Sequence, residues 1–129
     1  MIGRRQDLGK WGEGVAVDYL TAKGYLVIGR NVRTPYGEID LIARLPAKYQ
    51  SERDILAFVE VKTRTTASFG FPEESVNLRK QAHLLASAQH FMQEHPELDG
   101  DWRIDVIAIQ RLNPGKPPAI THFENAVSS

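Results

Sequence analysis

Apolar residues along the first part of the chain recur at helical spacing: Leu8, Trp11, Val15 and Tyr19, with Ala16 and Leu20 widening the stripe. The pattern predicts a helix from about Asp7 to Lys23, capped at its C-terminus by Gly24. The period then shortens. Tyr25–Arg33 reads as a strand, Thr34-Pro35-Tyr36-Gly37 as a turn, and Glu38–Leu45 and Ile55–Lys62 as two more strands joined by the polar loop Pro46–Asp54. Asn77 is a good N-cap for a second helix that runs to His95, where Pro96 stops it. Its apolar stripe is Leu78, Leu85, Ala88 and Met92, with Gln81 inside it. Trp102–Gln110 predicts a fourth strand, Asn113–Pro118 a turn region and Ala119–Glu124 a short last strand. The order αβββαβ plus a terminal strand predicts a mixed α/β fold, a meander followed by a helical crossover, in one domain over residues 1–129.

Composition narrows the class only a little. With 129 residues and a 25 % share of charged residues the chain has the usual globular balance. It contains no cysteine, which excludes a disulfide framework and a cysteine–zinc site. There is no run of about 18 apolar residues for a transmembrane helix. The opening MIGRRQDLGKWGE is charged without an apolar stretch, unlike a secretory signal. A cytoplasmic protein with no membrane partner is expected. The net charge is zero, but residues 1–64 hold 11 Lys/Arg against 8 Asp/Glu and the second half holds 5 against 8. If first-half carboxylates face a metal ion, the surface left there is basic.

The candidate chemistry lies in the central hairpin. If Glu38–Leu45 and Ile55–Lys62 pair antiparallel with Leu45 opposite Ile55, one face carries Ile39, Leu41, Ala43 and Leu45 against Val61, Val59, Ala57 and Ile55. The other carries Ile42–Phe58, Arg44–Leu56, Asp40–Glu60 and Glu38–Lys62. A one-residue slip would mix the faces, so the pattern selects this register. Asp40 and Glu60 then oppose each other about 5 Å apart, a destabilising like-charge pair unless something compensates. A hard divalent cation compensates well, and the Val61 carbonyl could add an oxygen. Lys62 shares the face and could contact a scissile phosphate or orient attacking water. A plain Glu38–Lys62 salt bridge on a solvated face is the competing reading; Ile42 and Phe58 on that face weigh against it.

Gly37-Glu38-Ile39-Asp40 followed by Phe58-Val59-Glu60-Val61-Lys62-Thr63-Arg64 resembles the PD-(D/E)xK nuclease superfamily, with Ile39 where the superfamily name has proline. The resemblance is closest to the small bacterial endonuclease-like (YraN-type) family, similar in fold to Holliday-junction resolvases. It extends over GRRQDLGKWGE at the start, FGFPEESV, RIDVIA and the final ITHFENA. It implies a restriction-endonuclease-like core and phosphodiester hydrolysis with Mg²⁺ or Mn²⁺, leaving a 5′-phosphate and a 3′-hydroxyl. On this resemblance Asp40 and Glu60 match the metal-binding acids and Lys62 the motif lysine. Glu13 matches an acid that related nucleases carry on the first helix; an ordinary residue bordering the apolar stripe is the equal alternative.

Thr63 and Arg64, directly after the motif, are candidate phosphate contacts, and Arg4 and Arg5 could track the nucleic-acid backbone. Arg79 and Lys80 point away from the stripe chosen above and read as a solvated face, with DNA contact as the minority reading. Asp105, among Ile and Val, is expected to pair with Arg103 or to support the site, and the four histidines read as structural. The leading expectation is a structure-selective DNA endonuclease in repair or recombination. A nucleic-acid-binding module with the same fold and little or no cleavage is the alternative. Cleavage of a four-way junction would call for a two-fold symmetric homodimer.

Overall fold

A computed structural model of the chain describes residues 4–65, 77–111, 113 and 115–127, with side chains described from residue 7 onward. Helix α1 spans Arg4–Ala22, with Ala16 and Leu20 fully buried at the centre of its inner face. It ends where Gly24 adopts φ 94°, a left-handed conformation that glycine takes without a Cβ penalty, and the Tyr25 N–H turns back to the Leu20 carbonyl. Strand β1, Leu26–Thr34, and strand β2, Gly37–Leu45, are joined by the expected turn. There the Thr34 hydroxyl bonds the Gly37 carbonyl and the Ser87 hydroxyl, tying the turn to the second helix. Strand β3 spans Ile55–Arg64, helix α2 Leu78–Glu94, strand β4 Asp101–Gln110 and strand β5 Ala119–Val127.

The five strands form one mixed sheet in the order β1-β2-β3-β4-β5, antiparallel throughout except for the parallel β3–β4 pair across α2. This is the predicted α/β architecture, consistent with a restriction-endonuclease-like core. The last strand is nine residues long rather than short, because Asp105 accepts a hydrogen bond from the Asn125 N–H across a register shift and pairing resumes at Val127. α1 covers one face over Leu41, Ala43, Ala57, Val59, Ile107 and Ile109. α2 covers the other over Ile42, Leu56, Phe58, Ile104 and Val106. No helix among the described residues is long and apolar enough to cross a membrane.

Two packing details depart from the sequence expectation. Ile39 packs with Ile42 and Phe58 on the α2 side rather than with Leu41. The β2–β3 ladder holds the predicted register from Leu45↔Ile55 to Leu41↔Val59 and ends there, so β2 is released from strict alternation against β3. On α2, Leu78 is exposed, and the inward row is Leu84, Ser87 and Ala88, flanked by Leu85, Phe91 and Met92. Of the expected stripe, Ala88 is buried and Leu85 and Met92 pack against the core, while Leu78 at its start faces solvent.

Candidate active site

The end of the β2–β3 ladder creates the site. Beyond Leu41 the Asp40 carboxylate accepts the Val61 N–H at 2.9 Å, so a side chain takes up a donor that an opposing backbone carbonyl would otherwise satisfy. The expected opposed pairs Asp40–Glu60, Ile39–Val61 and Glu38–Lys62 consequently lie outside the regular ladder. Asp40 and Glu60 nevertheless sense each other strongly. Burial first, and the Glu60 charge next, push the Asp40 carboxyl from 3.8 up to about 7; Glu13 adds to the rise, while the Val61 hydrogen bond and Lys80 oppose it.

Glu60 is the most enclosed acid of this group, its side chain only 6 % exposed. One oxygen, Oε1, lies 3.4 Å from Lys62 Nζ and 3.5 Å from Lys80 Nζ. The other, Oε2, is buried with no hydrogen-bond partner. A buried carboxylate oxygen without a partner carries an uncompensated desolvation cost. The competing reading of Lys62 finds no counterpart here: Lys62 turns to Glu60, and Glu38 pairs instead with Arg33 at 3.7 Å.

Glu13 reaches the neighbourhood of Asp40 because α1 sits very close to the end of β3. Gly12 is buried, and a Cβ there would overlap the Thr63 hydroxyl oxygen. Thr63, a candidate phosphate contact, therefore presses its hydroxyl toward α1. Arg64 donates from Nη1 to the Thr63 carbonyl at 3.1 Å. Arg4 and Arg5 open α1, but their side chains lie outside the described residues, as does the whole FGFPEESV segment.

Asp105 is fully buried away from this cluster. It accepts hydrogen bonds from Arg103 Nε at 2.9 Å and the Asn125 N–H at 2.9 Å, and lies 2.8 Å from His122 Nε2. Burial pushes its carboxyl up, but the His122, Asn125 and Arg103 contacts together outweigh this and hold it below the ordinary 3.8. His122 reaches on to the Tyr19 hydroxyl at 3.1 Å, and Arg103 to the Tyr25 hydroxyl at 2.7 Å. The network joins β4 and β5 to α1 and the start of β1, a structural role for both Asp105 and His122. The expected Arg103 pairing is formed; the His122 partner was hidden because 17 residues separate the two in sequence.

The donors suit a hard divalent ion. Such an ion is usually held by one or two carboxylates together with water and substrate oxygens, and Glu60 Oε2 is a buried oxygen in want of a positive partner. Among the described residues no group of three His, Asp or Glu is arranged to hold a metal by itself. Asp40 and Glu60 would thus hold the ion with the Val61 carbonyl, water or substrate completing the shell, and Glu13 stands outside a ready-made ligand set.

The residue that sequence reasoning missed is Lys80. It lies one helical turn before Leu84, on the inward row of α2, and the Asn77 side-chain cap takes its backbone N–H at 2.8 Å. Phasing the helix on Leu84 and Ala88 instead of Leu78 would have found it.

Fold and cluster together define a small α/β protein whose mixed sheet opens at one end around two acids and two lysines. Residues 12–109 match the family described as Uncharacterised protein family UPF0102, and the chain belongs to that family. It is similar to the UPF0102 protein of Syntrophotalea carbinolica, 40 % identical over 126 residues, covering 98 % of this chain and 95 % of the relative. The UPF0102 proteins of Dehalococcoides mccartyi (35 % over 127 residues, 98 % of each chain) and Thermodesulfovibrio yellowstonii (42 % over 126 residues, 95 % and 96 %) are similar over comparable lengths.

Proposed function

We propose that the chain is a metal-dependent DNA endonuclease of the PD-(D/E)xK type, a single nuclease-like domain that selects DNA by structure and serves repair or recombination in the cytoplasm. The observation that carries this reading is the buried Glu60 oxygen without a partner, set beside a second, half-buried acid. Like charges so placed cost folding stability. A site that binds a cation and a phosphate turns the same arrangement to use.

In this reading Asp40, Glu60 and the Val61 carbonyl hold Mg²⁺ or Mn²⁺. When bound, the ion supplies Lewis-acid polarisation of a phosphoryl oxygen. Water adds to phosphorus and the P–O3′ bond breaks, leaving the 5′-phosphate and 3′-hydroxyl that the family resemblance implies. Lys62, held at Glu60 in the free protein, donates to a non-bridging oxygen or to the attacking water. Glu13 acts from α1 through its charge near Asp40. Thr63, Arg64, Arg4 and Arg5 are proposed to contact flanking phosphates.

The test is incubation of the purified protein with duplex, single-stranded and four-way-junction DNA, with and without Mg²⁺ or Mn²⁺. Metal-dependent cleavage that disappears in Glu60→Gln and falls about 10²-fold or more in Lys62→Ala supports the proposal. DNA binding without cleavage by wild-type protein in either metal would replace it with the binding-module alternative. Cleavage of the junction would add a two-fold homodimer to be checked by sedimentation.

A further inference from the structure

The inward row of α2 carries a lysine where a helix normally places an apolar residue. Lys80 is fixed at the helix start by the Asn77 cap, and its ammonium reaches the same Glu60 oxygen that Lys62 already approaches. One cation is enough to neutralise one carboxylate. Two ammonium groups share a single Glu60 oxygen while the other oxygen has none, so neither lysine is needed in full by Glu60, and Lys80 also bears on the neighbouring Asp40. The two lysines also come from different elements: Lys62 from β3 with 21 % of its side chain exposed, Lys80 from α2 with 40 % exposed. Lys80 is therefore the one with the freer path to a ligand arriving from solvent.

We infer that Lys80 is a second substrate-contacting cation, one that donates to a non-bridging oxygen of the scissile or adjoining phosphate from the helix side. The inference rests on the nuclease reading above. Once Asp40 and Glu60 are engaged elsewhere, both ammonium groups lose their carboxylate partner and face the phosphate together. Negative charge on the non-bridging oxygens grows toward the transition state of phosphodiester hydrolysis, so a positioned ammonium stabilises it more than it stabilises the bound substrate.

The experiment compares wild type, Lys80→Met and Lys80→Arg in three measurements. Melting curves establish that each variant folds. Fluorescence anisotropy with a labelled DNA duplex in Ca²⁺, over a series of salt concentrations, reads phosphate contacts without turnover. Single-turnover cleavage in Mg²⁺ or Mn²⁺ reads the transition state. Lys80→Met is expected to cleave about 10-fold or more slowly and to lower the magnitude of the salt slope of DNA affinity by about 0.9, the share of one phosphate contact. Lys80→Arg should restore the slope. A Lys80→Met protein with wild-type rate and wild-type slope overturns the inference and leaves Lys80 as a partner of Glu60 only. If wild-type protein binds this DNA but cleaves nothing, the nuclease reading fails separately, and the slope alone decides whether Lys80 touches phosphate. If wild type neither binds nor cleaves, both fall.

Discussion

At the scale of single residues, Asp40 carries the most informative imbalance. Its carboxyl is pushed up to about 7 by burial and by Glu60, from an ordinary 3.8. The folded state thus holds a proton that the unfolded state has released, and in metal-free protein stability must fall as pH rises from about 3.8 to about 7. Asp40→Asn keeps the size and an oxygen for the Val61 N–H while removing the charge. In chelator-treated protein the variant should melt above wild type at pH 8, and the advantage should vanish near pH 4. Identical melting temperatures across that range would mean that Asp40 is an ordinary carboxylate. Asp40, Glu60 and Lys62 were legible because short local motifs on adjacent strands bring them close, although strict alternation fails beyond Leu41 and puts Ile39 on the wrong face. Lys80 was less so: whether a helical residue faces the sheet depends on the phase of the whole helix, and counting the exposed Leu78 into a stripe whose other members do meet the core turned that phase away from Lys80.

At the scale of elements, the sequence displayed nearly every boundary, because each is marked by a residue with a local mechanism: Gly24 for the end of α1, Gly37 for the turn, Asn77 and Pro96 around α2. What it withheld were long-range substitutions of side chain for backbone. Asp40 taking the Val61 N–H ends a ladder, and Asp105 taking the Asn125 N–H extends the pairing of β5. Neither leaves a mark on hydrophobic periodicity. The approach of α1 to β3 was equally hidden, since a glycine in a helix reads as a weakness until its neighbour is known. Gly12 fits against Thr63, whereas a Cβ on Gly14 meets nothing within 4 Å. Gly14→Ala should therefore stabilise by up to about 1 kcal/mol through helix propensity. Gly12→Ala should destabilise by about 1–3 kcal/mol, because α1 must lift from the sheet. Thr63→Ala in the Gly12→Ala background should recover part of that loss, giving a coupling energy above about 0.5 kcal/mol in a denaturant-melt double-mutant cycle. Simple additivity of the two changes would place the helix farther from β3 than described.

At the scale of the whole molecule, zero net charge means that no general field draws nucleic acid to the surface. Any attraction has to be local, and the local balance at the proposed site opposes phosphate while its acids stand uncompensated. Asp40, Glu60 and the nearby Glu13 are three acidic side chains, and Lys62 and Lys80 are both engaged at Glu60. A divalent cation at the acids would reverse this, cancelling the carboxylate charge and freeing the ammonium groups. On the proposed function, DNA and metal should therefore bind cooperatively, and linkage requires that each raise the other's affinity by the same factor. The measurements are calorimetric titration of Ca²⁺ with and without duplex DNA, and anisotropy of the labelled duplex with and without saturating Ca²⁺. Each should yield about 10-fold to 100-fold enhancement, the usual range for a coupling of this kind, and the two factors should agree. Glu60→Gln should reduce both together, because it removes a metal ligand and an anchor for the lysines at once. DNA affinity independent of Ca²⁺, or a metal affinity that DNA leaves unchanged, would separate the acids from the nucleic-acid surface and refute a shared site. In that case the buried carboxylates would have to serve something other than phosphodiester chemistry.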